Sequence, residues 1–215
     1  MCPSTLPEST RCWRESGRES KNICFRSDCK VAEKVYINRK HFLNYSLKEQ
    51  IDHGIRVSNL ACQVARQLGL EKSLCHELAV AGVVHDIGKI VLGFDIGAVK
   101  NPLVVEEMKY VRMHARISYD ILKDRGYSPF ILQSILHHHE NMDGSGYPDN
   151  LRGEEIPYGA RILRVCDVYA ALTSDRPYRS SFDKETALEL MIEEVKNFDM
   201  KVFLAFQRLV HEKEL

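Results

Sequence analysis

The chain lacks a net charge: Lys and Arg total 30, and Asp and Glu also total 30. There is no basic excess to hold the phosphate backbone of duplex nucleic acid, so that partner is not expected. No apolar run approaches the roughly 18 residues that a membrane-spanning helix needs, so no membrane partner is expected. The N-terminus has no apolar signal core and carries Arg11, Arg14 and Arg18, which makes the cytoplasm the default location. No apolar–polar alternation marks a half-buried strand, and no internal repeat is visible. The seven cysteines are an odd number. Cys2, Cys12, Cys24 and Cys29 fit no zinc ribbon or finger spacing, whereas Cys62, Cys75 and Cys166 fall in apolar helical patterns and read as small core residues.

What is present reads as helix. Residues 1–40 are set apart as an N-terminal tail or connector, because the stretch up to about residue 30 is polar and aperiodic. Residues 41–215 read as a single all-α domain, and 215 residues suffice for such a core plus an appendage. Ile51, Ile55, Leu60, Val64 and Leu68 predict a helix over 47–68, closed by Gly69. A buried helix is expected over 71–90, with His85 and Asp86 near its end. Another spans 103–124 with His114 in its middle. Ser128-Pro129 is an N-cap and first-turn pair that opens a helix running into His137, His138 and His139. Residues 143–159 are a Gly/Pro-rich loop. Further helices are expected over 159–173 and 183–196, and Asp199 is placed to cap a last one.

Imidazoles and carboxylates recur along this helical pattern, and together they form a ligand set for divalent transition metals. Glu49 and His53 stand four apart on one helical face. His85 and Asp86 are adjacent. Three histidines and Glu140 precede Asp143-Gly144-Ser145-Gly146-Tyr147-Pro148. Asp167 lies in the otherwise apolar Ile162-Leu163-Arg164-Val165-Cys166-Asp167-Val168-Tyr169, where an unpaired carboxylate would be costly and a cation would remove that cost. Structural readings stand beside each of these: Asp167 paired with Arg164 or Arg161, the histidine run at a negative helix end, and Lys89 at the surface. Arg176 and Arg179 would then lie in a solvated loop with Asp175, and Tyr147 would anchor its loop.

His85-Asp86-Ile87-Gly88-Lys89, His138-His139-Glu140, Asp143-Gly144-Ser145-Gly146-Tyr147-Pro148, Asp167-Val168-Tyr169 and Thr173-Ser174-Asp175-Arg176-Pro177-Tyr178-Arg179 together resemble the HD-GYP family over residues 41–215. That family is the cyclic di-GMP phosphodiesterase branch of the HD phosphohydrolases. The resemblance implies two or three divalent ions, iron or manganese first, with nickel or zinc compatible with the ligands. It implies His53, His85, Asp86, His114, His138, His139 and Asp167 as ligands, and Glu49 as a ligand to a third ion. Lys89 would face the bound phosphate, Arg176 and Arg179 would grip a phosphate, and Tyr147 would shape the pocket rim. The sequence departs from the family at Ala170, where an acid is usual, and in Val91-Leu92-Gly93-Phe94-Asp95, which lacks the usual proline. No receiver or sensor domain is legible before the unit.

The implied reaction is hydrolysis of cyclic di-GMP to linear pGpG and, in some members, to GMP. Paired metals would share a bridging water, with Asp86 as the bridging carboxylate. A diguanylate cyclase of the GGDEF type or another signalling protein, and a second copy of the chain, are the protein partners the resemblance allows. Two other readings stay open at this level: hydrolysis of another cyclic dinucleotide or a mononucleotide, and an inactive signalling adaptor.

Overall fold

The computed structural model describes residues 39–92, 111–175 and 180–212, with side chains from residue 47 onward except at 91–92. These residues belong to one compact unit, Asn38–Leu215. The four N-terminal cysteines, the stretch from Gly93 to Asp95, the first part of the 103–124 helix, and Arg176 and Arg179 lie outside the described residues.

Among the described residues the architecture is helical throughout, without strands, as the period of the sequence implies. Helix α1 is Arg39–Gln67, α2 Lys72–Val84, α3 Ile87–Leu92, α4 His114–Leu122, α5 Pro129–Leu136, α6 Tyr158–Leu172, α7 Lys184–Glu193 and α8 Met200–Glu212. Short 3-10 turns lie at Gly153–Glu155 and Val195–Asn197. The caps follow the sequence signals. Ser128 accepts from the Ile131 amide, with Pro129 in the first turn. Asp183 accepts from the Thr186 amide, and Asp199 from the Lys201 and Val202 amides. Gly69 has φ 74°, the left-handed conformation that a helix-ending glycine adopts readily.

Three expected helices need correction. Helix α1 begins at Arg39, earlier than the first apolar residue of its stripe, because a helix propagates through polar residues once nucleated. The expected 71–90 helix is two helices: α2 stops at Val84, and α3 starts at Ile87. Gly88 lies inside α3 rather than ending a helix. His114 is the first residue of α4, after a break at Met113, and not a mid-helix residue.

Helix α6 is the central element. It buries Ala160, Ile162, Leu163, Val165, Cys166, Tyr169 and Ala170, and it contacts α1, α2, α5, α7 and α8. Cys75 and Cys166 are buried in this core, while Cys62 packs against it half-buried. Phe206 of α8 is fully buried and meets the Tyr169 ring edge-on at 4.9 Å. Each such large apolar side chain contributes about 1.5–3 kcal/mol relative to exposure.

Helices α1 and α2 approach almost backbone to backbone. A Cβ built on Gly82 would sit 2.6 Å from Ser58 Cα, and one on Gly54 would sit 2.6 Å from the Val83 carbonyl oxygen. This contact carries His53 on one helix and His85 just past the end of the other. Gly82→Ala is expected to force the helices apart at a cost of about 1–3 kcal/mol. For a domain of this size the melting temperature should drop by several degrees. Thermal unfolding followed by circular dichroism checks this, and an unchanged melting point would show that the close approach is dispensable.

Candidate metal centre

Three of the imidazoles at the centre sit where a helix ends or begins. A helix terminus leaves carbonyl oxygens without an intrahelical partner, and here imidazoles supply the donor. His85 Nδ1 donates to the Gly82 carbonyl at 2.8 Å, His114 Nδ1 to Val111 at 2.5 Å, and His138 Nδ1 to Ile135 at 2.6 Å. In all three the acceptor lies three residues back. The proton is thereby placed on Nδ1, and Nε2 is aimed at the interior. This is the outer-shell arrangement that orients a metal-ligating histidine. The break after Val84 also solves a geometric problem. On a continuous helix adjacent residues point about 100° apart, whereas the turn lets His85 and Asp86 face one centre.

The seven residues read as ligands come together. His53 Nε2 lies 2.9 Å from Asp167 Oδ1 and 3.9 Å from Asp86 Oδ2. His85 Nε2 lies 3.3 Å from Asp86 Oδ2 and 3.7 Å from Asp167 Oδ1. His114 Nε2 is 3.2 Å from Asp86 Oδ1, 3.4 Å from His138 Nε2 and 3.0 Å from His139 Nε2. Three groups have donor atoms within 4.8 Å of one another: Asp86, His114, His138 and His139; His53, His85 and Asp86; and His85, His138 and Asp167. Asp86 belongs to two of them. Lys89 Nζ donates to Asp86 Oδ2 at 2.5 Å. Glu49 lies one turn before His53 on α1 and outside these three groups.

The donor set fits a cation. His85 Nε2 and Asp86 Oδ1 are buried without a hydrogen-bond partner, an arrangement normally costly in a protein interior. With each Nδ1 committed to a carbonyl, His114 Nε2 and His138 Nε2 face each other across 3.4 Å. A cation between them would be held by both. Burial disfavours the charged forms of His138 and His139, and neighbouring imidazoles add to the effect, so both are held well below the ordinary histidine range as neutral imidazoles. Burial alone would lower the His85 imidazole too, but Asp86 and Asp167 outweigh it and raise it to about 10. Burial opposes ionisation of Asp86, yet His85, Lys89 and His114 hold it well below the usual carboxylate range. Burial likewise opposes ionisation of Asp167, and His53 and His85 overcome it. The centre is a pair of buried carboxylates whose field draws in positive charge.

The structural alternatives for these residues fare differently. Arg161 bonds the Ile156 carbonyl and Asp199, and Arg164 bonds Asn141; Asp167 turns instead to His53. Of the histidine run only His138 and His139 face the cluster. His137 donates to the Gln133 carbonyl and pairs with Asp149 at 3.0 Å. Tyr147 anchors its loop: its amide donates to the His139 carbonyl, and its ring stacks on His139 with centroids 4.7 Å apart. Burial pushes its phenol up, so the hydroxyl stays a neutral donor at the rim.

Glu140 has a role that ligand spacing did not suggest. It is buried, and its carboxylate accepts from the Asp149 amide at 2.7 Å and the Leu151 amide at 3.2 Å. This clamp closes the far side of the Gly-Tyr-Pro loop directly after His139. Gly146 completes it, because a Cβ there would overlap the Glu140 and Asn141 backbone. The available signal was the acid adjoining two candidate ligands and followed by a glycine-rich turn.

The HD domain family model matches residues 35–202. The chain belongs to the HD domain family. It is 40% identical over 159 residues to the cyclic di-GMP phosphodiesterase PA4108 of Pseudomonas aeruginosa, covering 74% of this chain and 38% of that protein. It is 33% identical over 153 residues to the 3'3'-cGAMP-specific phosphodiesterase 1 of Vibrio cholerae, covering 70% of this chain and 36% of that protein. The chain therefore spans well under half the length of these curated relatives. Its fold matches the HDG"Y"P protein Bd1817 of Bdellovibrio bacteriovorus with a TM-score of 0.64 at 19% identity, covering 75% of this chain and 52% of that one. The resemblance to the HD-GYP branch is borne out by this company. Among the described residues no helix of this HD domain is long and apolar enough to cross a membrane.

Glu140→Ala removes the acceptor for two part-buried loop amides and is expected to cost about 1–3 kcal/mol, the range for a lost hydrogen-bond acceptor of this kind. Glu140→Gln keeps an acceptor oxygen and should recover part of the loss. Thermal unfolding of the two metal-free variants tests this, and equal melting temperatures would show that the clamp carries no load.

Proposed function

We propose that this HD domain is a metal-dependent phosphodiesterase that opens cyclic di-GMP to linear pGpG. The observation that carries this reading is the membership of Asp86 in two ligand groups, because a carboxylate offers two oxygens and so suits the shared ligand of paired cations. His53, His85, Asp86, His114, His138, His139 and Asp167 would hold two ions, with Fe(II) or Mn(II) suited to imidazole and carboxylate donors. Glu49 would reach a third from the adjoining turn of α1. Bound there, divalent cations supply Lewis-acid charge and lower the pKa of water, which diester hydrolysis at neutral pH requires.

The chain's own groups do the rest. The Nδ1 bonds to Gly82, Val111 and Ile135 keep three imidazoles oriented without reorganisation during the reaction. Lys89 lies close enough to Asp86 for its ammonium to reach a phosphate held at the cluster, where it would stabilise developing charge on oxygen. Arg176 and Arg179 supply bidentate donors for a phosphate. Tyr147, fixed on His139, forms one wall at the rim.

The test is turnover by the purified chain reconstituted anaerobically with Fe(II) or Mn(II). The panel comprises cyclic di-GMP, 3'3'-cGAMP, cyclic di-AMP and mononucleotides, with products resolved by chromatography. Cyclic di-GMP should be consumed fastest, and chelation should abolish the activity. Turnover of mononucleotides alone would sink the reading, and metal uptake without any turnover would favour the adaptor. Asp86→Asn should lose at least one ion per chain by elemental analysis. Its kcat should fall by more than the 10–100-fold typical of outer-shell changes at metal sites.

A further inference from the structure

A cyclic dinucleotide carries two phosphodiester charges, and a cluster built around one of them leaves the second to be recognised elsewhere. Among the described residues, a basic side chain over the Tyr147 ring is not committed to a carboxylate. Arg112 is exposed, sits two residues before His114, and has its guanidinium carbon 5.4 Å from the centre of the Tyr147 ring. Tyr147 in turn stacks on His139, and its ring lies 6.5 Å from that of His114. Guanidinium, phenol and imidazole thus form a layered column leading from solvent to the cluster.

Its neighbours differ. Arg116, one turn along, is 3.5 Å from Asp149, and Arg161 is 3.1 Å from Asp199. Among the described residues no carboxylate lies within ion-pair distance of Arg112. Lys89, beside the cluster, is held by Asp86, and Arg164 is bonded to the Asn141 side chain. Stacking on an aromatic face restrains the long side chain while leaving its in-plane N–H donors directed outward. This suits an arginine to meet a planar or bidentate anion.

We infer that Arg112 is a substrate-binding residue that holds the second phosphodiester of a cyclic dinucleotide while the first lies at the cluster. The inference rests on the phosphodiesterase reading. It adds a basic contact from the element that begins at His114, separate from Arg176 and Arg179. The residue works by binding rather than chemistry, so its loss should appear in KM.

Steady-state kinetics of Arg112→Ala and Arg112→Lys in the Mn(II)-loaded full chain test this. Cyclic di-GMP is compared with bis(p-nitrophenyl) phosphate, a diester with one phosphate, and cyclic di-AMP serves as a control for the base. For Arg112→Ala, KM for cyclic di-GMP should rise about tenfold or more, as expected for loss of a charged hydrogen bond. The preference for cyclic di-GMP over the single-phosphate diester should fall by a similar factor. Arg112→Lys should recover part of the loss, since it restores charge but not the fork. The KM effect should shrink as salt rises. An unchanged KM for cyclic di-GMP overturns the inference while wild-type turnover leaves the phosphodiesterase reading standing. So does an equal fall in kcat on both substrates, which would mark Arg112 as a mere support for Tyr147. An effect on cyclic di-GMP that is absent with cyclic di-AMP would assign the side chain to guanine and overturn the phosphate contact. A wild-type chain inactive on every cyclic dinucleotide sinks the phosphodiesterase reading, and this inference with it.

Discussion

The hydrogen bond from a histidine Nδ1 to the carbonyl three residues back is the constraint on which the centre depends. It occurs at His85, His114 and His138. Each time the acceptor is a carbonyl at a helix break or end, and each time Nε2 is left facing inward. A continuous helix would commit those carbonyls to amides of the next turn. The interruptions are therefore the source of the acceptors. They are also what turns His85 and Asp86 toward the same point, and what makes His114 the first residue of its helix.

The close approach of α1 and α2 serves the same end. Gly54 lies one residue after His53, and Gly82 supplies the carbonyl that holds His85. Removing two Cβ atoms brings the helices close, and the imidazoles they carry come within reach of the same carboxylates. Helix α6 provides the floor. Its buried apolar face sets its depth, and Asp167 is the charged residue on that buried face. Placing a carboxylate there is tolerable because His53 and His85 surround it. Fold and site share the same contacts, so packing changes near Gly82 or Ser118 act on the centre directly. The Ser118 hydroxyl accepts the Gly88 amide at 2.9 Å and ties α3 to α4 between Lys89 and His114.

Much of this was legible from residues alone. The helical period, the caps at Ser128 and Asp199, and the buried character of Cys75 and Cys166 follow from local chemistry. The identities of the clustered ligands were carried by motif. Less was legible wherever a local pattern was interrupted. The apolar run from 71 to 90 looks continuous, because the turn at His85 and Asp86 is stabilised by side-chain contacts that periodicity does not encode. The histidine run was divided by the family motif and not by spacing. His137 is drawn off by Asp149, twelve residues later, while His138 and His139 turn inward. Glu140 and Arg112 escaped for the same reason: one is defined by loop amides it accepts from, the other by an aromatic ring 35 positions away.

Chemical type and helical class were thus set by composition and spacing, because hydrophobic periodicity and ligand softness are properties of residues and their order. Convergence was not. Which nitrogen of each imidazole carries the proton, which carboxylate is shared, and which arginine lies over the Tyr147 ring depend on backbone groups and partners distant in the chain. Only the folded packing brings these within hydrogen-bonding and Coulombic range.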